Sequence, residues 1–427
     1  MPALALSPEL VYVLLVVGLF IVPRALQRFR LPSAITALAL GGVLGIGFHA
    51  FHGDATIELL GTLGIVAMFL FAGLDVDFHD LARGRRVLGQ HVLVQLLLLG
   101  SGAYVARAVF GLEFRAALLF ALALFTPSTG FILDSLPTFG LSKEERYWVK
   151  SNAIAAELVA LLTLFVVVQS ADGLRLAGSA AALAALVAIL PPLFRLFDRV
   201  IAPFAPGAEF TFLILVALLC AFVTRELGVY YLVGAFVVGL TAVRLRQEIP
   251  DLSSEKLLTG VELFASFFIP FYFFKSGLHL EAEHFSVEAL LIAGALLVVV
   301  VPLRVARVAA HRALVLGEPW GTGVRIGTAI VPTLVFTIVI AEILRDRFGL
   351  DPTLFGALIV FTLVNTLVPG LVLRLPPPDF EHPKAHLYDE APADAAGAAT
   401  VAAPPAPGPP GTAGTPLPLG PGAAGTA

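Results

Sequence analysis

Thirteen stretches of about 20 mostly apolar residues follow one another along the chain, at about 10–26, 32–50, 56–74, 87–108, 116–136, 147–168, 174–192, 208–224, 228–243, 257–279, 286–310, 321–343 and 352–373. A helix of ~20 residues spans the ~30 Å hydrocarbon core of a bilayer. In that core a backbone finds hydrogen-bond partners only within a helix or a closed barrel. The pattern predicts an all-α polytopic membrane protein of 13 transmembrane helices. Composition agrees: 58% of residues are hydrophobic and only 14% are charged, against about 25% charged in soluble domains. The mean hydropathy is +0.92.

Several function classes fall away. A net charge of −4 offers no electrostatic footprint for nucleic acid, and Cys220, the single cysteine, excludes an internal disulfide. No histidine falls mid-span, and no His-x-x-Glu-His or paired-cysteine pattern occurs, so no metal centre is expected. GTGVRIG (321–327) has the wrong glycine spacing for a nucleotide loop and opens an apolar span with no strand before it. Neither an enzyme nor a bound cofactor is expected.

The N-terminal segment has its arginines after the apolar run, which reads as a retained first span and not a cleaved leader. Residues 376–427 are rich in Pro, Ala and Gly and almost free of large apolar side chains, which predicts a disordered tail behind a membrane domain of residues 1–375. With the N-terminus outside, the loops on the cytoplasmic side hold about three times as many Lys and Arg as the outer loops, so the C-terminus is expected in the cytoplasm.

An internal repeat is legible. FLFAGLDVDFHDL (69–81) and FFKSGLHLEAEHF (273–285) align on Gly73 and Gly277, sharing a Phe, the Gly-Leu pair and an acidic residue at equal offsets. They lie seven spans apart, an odd number, so the second copy crosses the membrane in the opposite sense. Two inverted halves, spans 1–6 and 8–13, follow, an arrangement found in many secondary transporters.

The fifth and twelfth spans correspond under this repeat, and each is interrupted near the midplane: FTPSTG (125–130) at Pro127 and IVPTL (330–334) at Pro332. A proline inside a helix costs about 3 kcal/mol. Unwinding there would free carbonyls and bring the hydroxyls of Thr126, Ser128, Thr129 and Thr333 to replace water around a small cation; the alternative is a pair of plain kinks. Glu157 lies at the same depth in the sixth span. A charge at the bilayer centre costs roughly 2.5–3.5 kcal/mol, so this carboxyl is expected to hold either a proton or a cation, the alternative being a permanently neutral structural acid. Arg304 either pairs with Glu157 when no cation is bound or opens a cluster with Arg307, His311 and Arg312 that snorkels to the headgroups.

These residues resemble the cation:proton antiporter-2 family of the sodium/proton exchanger superfamily. The resemblance rests on RLPSAITALALGGVLG (30–45), GTLGIVAMFLFAGLDVDFHDL (61–81), FTPSTG, GVYYLVGAFVVGL (228–240) and FFIPFYFFKSGL (267–278), within about residues 10–374. It implies a homodimer in a bacterial inner membrane, with spans 4–6 and 11–13 as a moving core and spans 1–3 and 8–10 as a dimerisation domain. It also implies that Glu157 is the ion-binding carboxylate and Arg304 its charge partner. Two departures stand out: Ala156 occupies the place of a polar or acidic neighbour, and IVPTLVF lacks the charged residues many members carry there. The function expected is exchange of a monovalent cation, Na⁺ or K⁺, for H⁺, electroneutral through one carboxylate. The alternatives are a transport-inactive scaffold or sensor on the same fold, and a fold-mate carrying organic anions.

Overall fold

A computed structural model describes residues 7–373 apart from 30, 206 and 229. The tail expected at 376–427 lies outside the described residues. Every described regular element is helical: α1 (Pro8–Gln27), α2 (Ser33–Phe48), α3 (Ala55–Leu74), α4 (Phe78–Arg83), α5 (Arg85–Phe110), α6 (Phe114–Phe125), α7 (Thr129–Ser135), α8 (Lys143–Gln169), α9 (Gly173–Val200), α10 (Glu209–Glu226), α11 (Tyr231–Leu245), α12 (Glu255–Leu278), α13 (Val287–Val315), α14 (Trp320–Ala329), α15 (Leu334–Phe348) and α16 (Pro352–Val372), with short 3₁₀ turns between some of them. Many helices start where a short polar side chain takes an orphan N–H. Asp54, Ser142, Asp172, Ser254, Ser286 and Asp351 each accept such a bond.

A helix stands at each of the thirteen apolar stretches, and the fifth and twelfth are each built of two. Nine of the described segments are long and apolar enough to cross a bilayer, and the bent pair α14–α15 makes ten. α2 and α11 have only 16 and 15 residues, and α10 carries Glu209, Arg225 and Glu226 at its ends. Length and hydropathy therefore do not extend the count to thirteen.

The helices pack in two sets. α1, α2, α3, α10, α11 and α12 pack on one another, as do α5, α6, α8 and α13 to α16, while α9 touches both α8 and α11. The inverted repeat is visible in matching contacts: α3 lies on α11 as α12 lies on α2. Both crossings depend on glycine. A Cβ on Gly73 would sit 2.5 Å from the Phe236 carbonyl oxygen and 3.0 Å from Gly239 Cα. One on Gly277 would overlap the Leu38 carbonyl oxygen and come within 2.8 Å of Gly42 N. The repeated Gly-Leu pair is thus a packing signature, letting two backbones touch.

Burial locates the centre. The span formed by α6 and α7 is 78% buried, against 17% for α1 and for α9. The outer helices expose Leu97, Leu174 and Val298, which suits lipid and not water.

Candidate functional site

The two interrupted spans cross at their breaks. α6 ends where Thr126 takes extended backbone, with φ −88° and ψ 120°, and Pro127 supplies no N–H; α7 restarts at Thr129. α14 ends at Ala329 and α15 begins at Leu334, the pair bent by 52° around Pro332. Ser128 N donates to the Pro332 carbonyl at 2.8 Å, and the Thr337 hydroxyl donates to the Ala123 carbonyl at 2.8 Å. Each break is therefore tied to the other.

Interrupting a helix orphans the carbonyls of its last turn and leaves the negative end of its dipole inside the protein. Arg304 answers both. It reaches from α13 and donates to the carbonyls of Val331 at 2.7 Å, Ile330 at 2.7 Å and Leu124 at 3.3 Å, bridging the C-terminal ends of α14 and α6. Gln95 Nε2 takes the Phe125 carbonyl at 3.1 Å. The arrangement departs from expectation here. The hydrogen bonds of Arg304 go to carbonyl oxygens and not to Glu157, because five donors in a planar fork suit a cluster of orphan carbonyls. Those three carbonyls are thus already engaged by a donor.

Glu157 sits midway along α8, whose first turn is fixed by a capping box between Ser142 and Glu145. The carboxyl is 3% exposed and lines a small cavity with Ser128 and Thr129. Met68, Phe69 and Phe336 form apolar walls, the two rings edge to face at 5.8 Å between α3 and α15. The hydroxyls of Thr126, Ser128 and Thr129 are buried, and those of Thr126 and Ser128 have no hydrogen-bond partner in the protein. Thr129 is the one set beside the Glu157 carboxyl. Such orphaned hydroxyls each cost about 1–3 kcal/mol unless something outside the fold satisfies them. Thr126 is buried near the break but does not line this cavity.

Thr333 differs from the others. Its hydroxyl accepts from Asn365 Nδ2 at 2.9 Å and lies 2.7 Å from the Thr337 hydroxyl and 3.1 Å from the Thr362 hydroxyl, while its N–H donates to Asn365 Oδ1 at 3.3 Å. The expected ligand is saturated by α15 and α16, and it is not among the residues lining the Glu157 cavity.

Sequence reasoning missed three polar residues. Asn365 holds the α15 break from α16. Glu342, in α15, accepts from the Ser276 hydroxyl at 3.0 Å, and its signal was an acid within the run VFTIVIAEIL. Asn152, five residues before Glu157 in α8, is 6% exposed, and neither amide atom has a partner in the protein. It lines a second cavity with Ala156, Pro127 and Arg304.

Known proteins agree with this architecture. Residues 13–376 match the family model described as sodium/hydrogen exchanger, transmembrane. The chain is 25% identical over 272 residues to a probable Na⁺/H⁺ antiporter 3 of Methanocaldococcus jannaschii, covering 61% of this chain and 68% of that one. It is 25% identical over 388 residues to the Na⁺/H⁺ antiporter NhaS5 of Synechocystis, covering 86% of this chain and 54% of that one. It is 29% identical over 285 residues to the cation/H⁺ antiporter 18 of Arabidopsis thaliana, covering 59% of this chain and 34% of that one. The chain thus spans about half the length of the second relative and a third of the last. The solved structure of the sodium proton antiporter MjNhaP1 of M. jannaschii superposes with a TM-score of 0.62 at 14% identity, over 84% of this chain and 94% of that one, which shows a shared fold.

Proposed function

The chain belongs to the sodium/hydrogen exchanger family, and from that premise we propose that it exchanges Na⁺ for H⁺ across a bacterial inner membrane. Glu157 binds the proton and the cation in competition. The hydroxyls of Ser128 and Thr129, with Thr126 behind them, replace part of the water shell of the cation. A neutralised Glu157 lets the site cross between the two faces, whereas the bare carboxylate is held back by the cost of burying its charge. With Ala156 beside it and no second carboxylate lining the cavity, exchange is one proton per cation and electroneutral.

The observation that carries this reading is a buried carboxyl sharing a small cavity with two buried hydroxyls, one of them, Ser128, with no partner in the protein. Na⁺ is preferred over K⁺ because two of the relatives carry Na⁺/H⁺ in their names. The resemblance further supports a homodimer, and the Lys and Arg bias of the loops supports an N-terminus outside and a C-terminus in the cytoplasm. The resemblance also supports a core of α5 to α8 and α13 to α16 moving against α1 to α3 and α10 to α12.

Inside-out vesicles holding a respiration-driven pH gradient provide the test. Adding Na⁺ should dissipate the gradient in wild type and leave it standing in Glu157→Gln, with K⁺ added in parallel to name the ion. Dissipation at wild-type rate in the variant would remove Glu157 from the mechanism.

A further inference from the structure

The cavity holding Asn152 has the opposite chemistry to the one holding Glu157. Pro127 and Ala156, the chain neighbours of Ser128 and Glu157, line it together with His91, Gln95, Arg304 and Arg307. No carboxylate lines it. Two guanidinium groups at one cavity wall are costly unless opposite charge meets them. Arg304 is met by the carbonyl ends of α6 and α14.

Arg307 is not matched in this way. Its Nη1 donates to Gln95 Oε1 at 2.7 Å, a neutral acceptor, and its buried Nε has no partner in the protein. Gln95, whose amide also donates to the Phe125 carbonyl, brings no negative charge to Arg307. Around the same cavity His91 is 7% exposed with Nε2 unpartnered, and Asn152 is 6% exposed with Nδ2 and Oδ1 both unpartnered. Arg312, the next basic residue along α13, is already paired with Glu318 at 2.6 Å.

We infer that this cavity is a binding site for one small inorganic anion of chloride size, held by Arg307 Nε, Asn152 Nδ2 and His91 Nε2. The donors are the unsatisfied ones, the uncompensated charge is positive, and the space is small for a phosphate or a carboxylic acid. A water on the anion would serve Asn152 Oδ1. The site is independent of cation exchange at Glu157, and its occupant would hold α13, α8 and α5 together beside the crossing.

The test uses the full chain in detergent micelles or nanodiscs, with Na⁺ and ionic strength held constant while chloride replaces gluconate. Chloride and bromide should raise the unfolding temperature saturably, and Arg307→Gln and Asn152→Leu should each weaken half-saturation by about tenfold, the loss of one charge-assisted bond. Glu157→Gln should keep the effect. Bromide should appear as an anomalous difference peak beside Arg307 in wild-type crystals, a readout that needs no variant to fold. Three results would overturn the proposal: no halide effect beyond gluconate, an effect unchanged in both cavity variants, or one that disappears with Glu157→Gln instead.

Discussion

Replacing Arg304 by methionine keeps a long side chain and removes the guanidinium from the crossing. Two bonds of 2.7 Å and one of 3.3 Å are lost, to the carbonyls of Val331, Ile330 and Leu124. Hydrogen bonds involving a charged group contribute roughly 1.5–3 kcal/mol each. Part of that is offset, because the variant no longer buries a charge. The carbonyls stay behind without a donor, and a buried polar group left unsatisfied costs about 1–3 kcal/mol. The assay is equilibrium unfolding in mixed micelles, run as a double-mutant cycle with Glu157→Gln. Since the bonds of Arg304 run to carbonyls, the two substitutions share no partner and should add to within about 0.5 kcal/mol. Arg304→Lys, which keeps the charge but not the planar fork, should recover only part of the loss. A loss below about 1 kcal/mol for Arg304→Met would refute the capping role. A coupling above about 2 kcal/mol with Glu157→Gln would restore the ion pair expected from sequence.

Four further outcomes follow from the structure. Ser128→Ala should leave stability in Na⁺-free buffer unchanged or raise it by up to about 1–3 kcal/mol, because its buried hydroxyl has no partner to lose; in transport assays Ser128→Ala and Thr129→Ala should raise the Na⁺ half-saturation about 5- to 30-fold, or 1–2 kcal/mol. Thr333→Val should do the reverse, destabilising by about 1–3 kcal/mol by stranding the Asn365 amide. Gly277→Ala should cost at least about 1–3 kcal/mol by forcing α2 off α12, read as a lower unfolding temperature and a smaller monodisperse peak in size-exclusion chromatography. In the turn between α12 and α13, burial first of all lowers the pKa of His284, and its Nδ1 accepts from Glu281 N at 2.9 Å, a bond that protonation breaks. A depressed histidine contributes stability above its unfolded value of about 6.5 and loses it as pH falls through the folded value. Wild type should therefore lose unfolding temperature between about pH 7 and pH 5, and His284→Phe should lose less of it.

How much of the site the sequence reveals depends on the kind of group involved. Pro127, Pro332 and Glu157 are legible because each violates what an apolar helix tolerates, and a violation is visible in one dimension. Gly73 and Gly277 are legible as a repeated pattern, although the partners that demand them, Phe236 and Leu38, are not. The role of Arg304 is hidden for a different reason. Its acceptors are backbone carbonyls, which every residue owns, so nothing in the letters at 124, 330 and 331 marks them. Only the crossing of α6 and α14 brings those carbonyls to one side chain. Asn152, Thr362 and Asn365 are hidden because single polar residues are common in apolar spans, and their meaning comes from which neighbours already have partners.

Placing Arg304 on the helix ends changes the logic of the Glu157 cavity. An arginine paired with the carboxylate would give the site a built-in counter-ion, and a cation would have to displace it. With Arg304 held by carbonyls, no basic side chain lines that cavity, and the basic groups Arg304 and Arg307 line the other one. A carboxyl walled by Met68, Phe69 and Phe336 then has two ways to become neutral, a proton or a metal cation arriving from solution. Each excludes the other, since one charge is enough to cancel one carboxylate. Competition between H⁺ and Na⁺ then needs no switch in the protein beyond this separation of charge, and the one-for-one stoichiometry proposed here is its direct consequence.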